Sequence, residues 1–115
     1  MELIALLSSG KGSWGQVAGV VNKGDWERII IIGDEFAKKF NLQKDFEFIE
    51  IKSSSIMELK DEIMRKLKGK IKGTEVALSI ASGDGKEHMA LISALLSLPV
   101  GIRFTVLTKD GIVFM

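Results

Sequence analysis

Residues 78–96 read LSIASGDGKEHMALISALL. The stretch grows out of Val76–Ala81 (VALSIA), an apolar run bounded by a glycine turn, which predicts a buried strand. SGDG is the turn. The apolar residues beyond it recur at helical spacing and predict a helix over Lys86–Leu98, closed by Pro99. Asp84 and Glu87 stand three apart, as in a capping box, and mark the helix start. A strand that passes through a glycine-rich turn straight into a helix is a βα unit, the building block of parallel sheets.

Working outward, the same unit recurs. Glu2–Leu7 (ELIALL) enters SSGKGS, and Trp14, Val17, Val20 and Val21 then form one helical stripe. Arg28–Ile32 (RIIII) is short, β-branched and nearly uniform, the pattern of a strand covered on both faces. Gly33 and Asp34 end it, and Glu35–Phe40 predicts a short helix. Phe46–Ile51 (FEFIEI) mixes apolar and acidic residues in alternation, so one wetter face and an edge position are expected. Ser55–Leu67 is a helix with Ile56, Leu59, Ile63 and Leu67 on its buried stripe and Gly69 as its stop. Ile102–Leu107 and Ile112–Met115 are final strands joined by Thr108-Lys109-Asp110-Gly111, which carries the Asp-Gly hairpin signal. Ser13 with Gln16 and Ser55 with Glu58 repeat the capping-box spacing. The order β-α-β-α-β-α-β-α-β-β predicts an open, mainly parallel three-layer α/β sheet. The expected strand order is 3-2-1-4-5, with strand 6 antiparallel beside strand 5. The switch point of such a sheet lies between strands 1 and 4, so the loops Ser8–Ser13 and Ser82–Lys86 should share one crevice.

Composition narrows the function classes. The chain has 115 residues, a single domain over 1–115, with 46% hydrophobic and 27% charged residues, the balance of a soluble globular protein. A net charge of +1 is too small for a bulk-electrostatic binder of extended duplex nucleic acid. No cysteine is present, which excludes disulfides and thiolate metal sites, and the single histidine, His88, cannot build a zinc triad. No apolar run approaches the ~20 residues of a membrane span, and no signal-peptide pattern opens the chain. A cytoplasmic protein is therefore the default, with no metal or cofactor implied.

The two loops carry the candidate chemistry. Gly10-Lys11-Gly12-Ser13-Trp14-Gly15 is a G-x-G-x-x-G between strand and helix. Its glycines permit close approach of a phosphate, and the helix N-terminus attracts one. Ser8, Ser9 and Ser13 add hydroxyls and Lys11 a cation; Gly15 alternatively lets the helix sit close to the sheet. In the second loop Ser82 and Lys86 are candidate ligands. The capping box offers Asp84 and Glu87 a structural role, which leaves Lys86 free to point into the crevice; alternatively Lys86 is a solvated first-turn lysine. His88 reads as a bystander on the helix surface and Trp14 as a packing anchor. The Arg65–Lys72 basic stretch suits a helix C-terminus. Met57 and Met64 read as core or interface filler.

At these loops the chain resembles the CARF family, the CRISPR-associated Rossmann-fold sensors of cyclic oligoadenylate. The resemblance rests on MELIALLS opening into a Ser/Gly loop, on RIIII with its polar turn, on LSIASGDGKEHMALISALL and on the closing strand pair. It implies a homodimer that holds a ring-shaped ligand, cyclic tetra-adenylate in the favoured case, across its two-fold axis. Ser8, Ser9 and Gly10 would line the ligand at the first loop, and Gly83, Gly85 and Lys86 at the second. Some members also cleave the ring without metal, and by the resemblance Ser9 and Lys86 would be the catalytic residues. The second loop departs from the family's Gly-Gly-Thr by carrying Gly83-Asp84-Gly85. The strongly apolar last helix (Met89, Ala90, Leu91, Ile92, Leu95, Leu96) and the first helix beside it also point to a homodimer.

Two other readings compete. A mononucleotide- or dinucleotide-binding Rossmann domain accounts for G-x-G-x-x-G and for Asp34 and Glu35 after strand 2, near the ribose position. A ligand-free dimerisation module predicts no nucleotide binding.

Overall fold

The computed structural model describes residues 1–8 and 13–115. Its elements are β1 (Glu2–Leu7), α1 (Trp14–Lys23), β2 (Ile29–Gly33), a 3-10 turn (Glu35–Lys39), β3 (Glu47–Glu50), α2 (Ile56–Leu67), β4 (Glu75–Ser79), α3 (Gly85–Ser97), β5 (Gly101–Thr108) and β6 (Gly111–Phe114). They form one sheet in the order β3-β2-β1-β4-β5-β6. Every pairing is parallel except β5 with β6. The expected α/β architecture and strand order are those observed.

Alternation along the central strands divides the core into two. Ile4, Leu6, Ile30, Ile32 and Leu78 meet Leu59, Ile63 and Leu67 of α2 and Leu91 and Leu95 of α3. Leu3, Ala5, Leu7, Ile29 and Ile31 meet Val17, Val20 and Val21 of α1. This is why Ile29, Ile30, Ile31 and Ile32 follow one another without a polar residue: each face of β2 has its own helical cover.

The flanks differ from expectation in physical detail. β3 is an edge strand, but FEFIEI changes phase in its middle. Phe46 and Phe48 pack on the α1 side, whereas Ile49 and Ile51 pack on the other, so neither face is wholly wet. The segment after Asp34 is a 3-10 turn and not an α-helix, capped by Asp34, whose carboxylate accepts the Ala37 N–H at 3.1 Å. β4 ends at Ser79, two residues before the apolar run does. β5 outruns it: Gly101–Phe104 pair with β4 and Thr105–Thr108 with β6.

That overhang explains α1. Leu107 has no β4 residue beside it, so its peptide groups on that side need another partner. Gln16 supplies it. Its side-chain amide donates to Leu107 O at 3.2 Å and accepts the Leu107 N–H at 2.8 Å. The expected Ser13–Gln16 capping box is therefore absent; Ser13 makes no side-chain cap. Close approach of α1 to the sheet falls to Gly19, where a Cβ would stand 2.3 Å from Leu107 Cδ2, and not to Gly15, which faces open space among the described residues.

Candidate functional site

The carboxyl edge of the sheet collects Ser8 after β1, Asp34 after β2, Lys52–Ser54 after β3 and Ser82–Lys86 after β4. The first-loop residues Ser9, Gly10, Lys11 and Gly12 lie outside the described residues. The two ends of the proposed crevice do meet. The Ser8 backbone N–H donates to Ser82 Oγ at 2.8 Å, and Ser82 is buried. The loops leaving β1 and β4 are thus tied across the switch point, as the strand order requires.

The β4 loop is braced from within. Asp84 accepts the Glu87 N–H at 2.8 Å, and Glu87 accepts the Asp84 N–H at 2.9 Å, a complete capping box. His88 Nε2 donates to Ser82 O at 2.9 Å, so His88 is no bystander: it holds the carbonyl of the residue that ties the two loops. Gly83 sits at φ +101, and a Cβ there would meet Leu6 Cδ2 at 2.5 Å, so this glycine is demanded by the fold. Gly85 has an ordinary φ, and among the described residues nothing lies within 4 Å of where its Cβ would stand, so neither strain nor a described neighbour asks for a glycine at that helix start.

Lys86 differs from expectation. It does not stand free toward the β1 loop; its ammonium donates to Ser54 O at 2.6 Å, in the loop before α2. It thereby walls a cavity of about 260 Å³ whose other polar walls include Asp34, Lys52, Ser53 and Ser54. A first-turn lysine on α3 thus reaches a carbonyl of α2's entry loop.

The entry loop is itself pinned by a buried carboxylate that the sequence reading passed over. Glu62 of α2 accepts the N–H of Lys52 at 3.0 Å and of Ser53 at 2.9 Å, and pairs with Lys66 at 2.8 Å. Burial alone would raise its pKa. The hydrogen bonds from Lys66 and from the Ser53 and Lys52 backbone outweigh burial and lower it from 4.5 to about 2. A signal was present: Glu62 lies between Leu59 and Ile63 on the buried stripe of α2, where a carboxylate has to find donors.

Several of the remaining sequence candidates have structural employment. Trp14 donates its indole N–H to Ser8 O at 2.7 Å and packs on Phe36 and Phe40. In the basic stretch, Lys66 is bound to Glu62 and Lys70 to Glu47, and the Lys72 backbone binds Glu2. Met64 packs against the core, but Met57 is exposed and fills nothing in this chain. The last helix spends Ala90, Leu91, Ala94 and Leu95 on the core and exposes Met89 and Leu96. The first helix does not lie beside it: α1 covers the opposite face of the sheet.

Among the described residues, no group of His, Asp and Glu side chains could hold a metal, and no helix is long and apolar enough to cross a membrane. Compared with known proteins, the chain matches no family model and no curated sequence.

Proposed function

We propose that this chain binds a cyclic oligoadenylate, with a phosphate seated where the loops leaving β1 and β4 meet. The observation that carries this reading is the Ser8–Ser82 tie, which joins the two glycine-bearing loops at one point of the carboxyl edge. Just beyond it α3 begins at Gly85, and the Lys86 ammonium in its first turn is held by Ser54 O. Oriented backbone N–H groups and a nearby cation are the usual elements of a phosphate site. The carboxylates of Asp84 and Glu87 are engaged in capping. A bound phosphate would draw Lys86 from Ser54 O, exchanging a neutral acceptor for a charged one. A ring-shaped ligand spans two copies, each offering this edge.

The test is incubation of the protein with cyclic tetra-adenylate in EDTA, followed by native and product mass spectrometry. Retention of the intact ring on the protein is the expected result. Appearance of a linear product would add cleavage, in which a ligand 2′-hydroxyl attacks the adjacent phosphorus, the bond to the 5′ oxygen breaks, and that oxygen leaves with a proton. No binding of the ring, together with enhanced NADH fluorescence, would replace this reading by the dinucleotide one. No response to either would leave an interaction module.

A further inference from the structure

We propose that β6 is a docking edge for a second copy of this chain, paired antiparallel β6 to β6. The sheet has two outer strands, and they are built differently. β3 is guarded by charge. Glu47 is paired with Lys70 and, at 3.5 Å, with Arg28; Glu50 is paired with Lys38 at 2.5 Å. Such side chains oppose the addition of another strand. Residues 111–115 read GIVFM, with no charged side chain and no proline. Val113, Phe114 and Met115 are 40%, 44% and 78% exposed.

Among the described residues, β6 pairs only with β5, and its outer side carries no strand. Met115 donates its N–H to Phe104 O at 2.8 Å, so Met115 faces β5. Peptide groups alternate along a strand, so Gly111 and Val113 also face β5, and the N–H and C=O of Ile112 and Phe114 point away from the sheet. The strand is held in place for pairing. Phe114 packs edge-on against Trp26 at 6.1 Å and lies beneath the Arg103 guanidinium at 5.9 Å.

Charge and symmetry select the occupant. A neutral edge matches a neutral strand, and of the two edges of this sheet only β6 is one. A two-fold axis normal to the sheet through Val113 brings Ile112 of each copy opposite Phe114 of the other. Those are the residues whose peptide groups point outward, so the copies exchange N–H···O=C bonds reciprocally. Val113 then meets its own copy across the axis, and exposed apolar surface on both copies is covered. This axis sends the two carboxyl edges to opposite ends of the joined sheet, so the contact is independent of the ligand site.

The experiment is sedimentation of the ligand-free protein at micromolar concentration, beside Val113→Lys, Val113→Glu and an equal mixture of the two. Val113 lies on the solvent side of an outer strand, and a thermal melt verifies that each variant folds. The expected results are twice the chain mass for the wild type, half of that for each variant alone, and recovery of the wild-type mass in the mixture, where Lys meets Glu at the axis. A monomeric wild type, an unchanged mass in Val113→Lys, or a mixture that stays dissociated would each overturn the proposal. Loss of cyclic tetra-adenylate binding with an intact Val113-dependent dimer would fault only the ligand reading.

Discussion

At the carboxyl edge of the sheet Glu62 holds the loop that enters α2; at the amino edge Glu2 holds the loop that leaves it. The two devices are alike. Glu62 accepts the N–H groups of Lys52 and Ser53, and Glu2 accepts those of Lys72 at 3.0 Å and Gly73 at 2.8 Å. Both carboxylates are buried, and each has one cation near it: Lys66 at 2.8 Å from Glu62, Arg28 at 3.7 Å from Glu2. The surroundings differ. At the amino edge Arg28 also binds the Lys70 carbonyl and approaches Glu47, so the cations there are spent on partners within the chain. At the carboxyl edge Ser54 O is held by the exposed Lys86 alone among its described partners, and that lysine can be drawn away at little cost. A pinned loop gives rigidity at either end, and on the proposed reading the carboxyl end also offers Lys86 to a ligand.

The largest expected effect tests the likeness. Glu62→Ala and Glu2→Ala should each lower the unfolding free energy by about 3 kcal/mol, because each orphans two backbone donors and an adjacent cation. Urea unfolding measures both. A loss under about 0.5 kcal/mol, the scale of an ordinary surface change, in either variant would break the equivalence of the two clasps.

Acid sharpens the comparison. The Glu62 pKa is depressed from 4.5 to about 2, so its contribution is complete above 4.5 and is lost as the pH falls toward 2. Over that window the wild type should lose roughly 2–3 kcal/mol more stability than Glu62→Gln, which has no carboxyl proton to gain. Unfolding free energies at successive pH values give the two slopes. Parallel slopes would detach the acid response from the carboxyl-edge clasp.

The smallest stability effect belongs to Lys86. Lys86→Ala should shift the unfolding free energy by no more than about 0.5 kcal/mol, since its hydrogen bond is exposed. Its effect on cyclic tetra-adenylate affinity should be larger, roughly 1.5–3 kcal/mol, the range of a hydrogen bond to a charged group. Titration calorimetry beside a melt reads both. Unchanged affinity would make the carboxyl edge as self-contained as the amino edge.

The central sheet was legible because its cause is local. Ile29, Ile30, Ile31 and Ile32 are apolar on both alternating sets, and a strand of that composition demands two covering layers. The Asp84–Glu87 box was legible for the same reason, since both partners lie within one turn. Ser13 and Gln16 have the identical spacing and do something else. Gln16 is claimed by Leu107, 91 residues away, because β5 extends beyond β4 and leaves peptide groups that must be paired.

What the sequence by itself determined is therefore the set of elements, their order and the meeting of the β1 and β4 loops, all of which follow from periodicity and from the chirality of βα units. Only the tertiary structure decided which polar side chain answers which backbone group: Lys86 on Ser54, His88 on Ser82, Glu62 on the loop before α2 and Glu2 on the loop after it. The physical reason is that periodicity records which face of an element avoids water. A buried or half-buried donor instead takes the nearest unpaired acceptor in space, and nearness in space is settled only when the layers are packed.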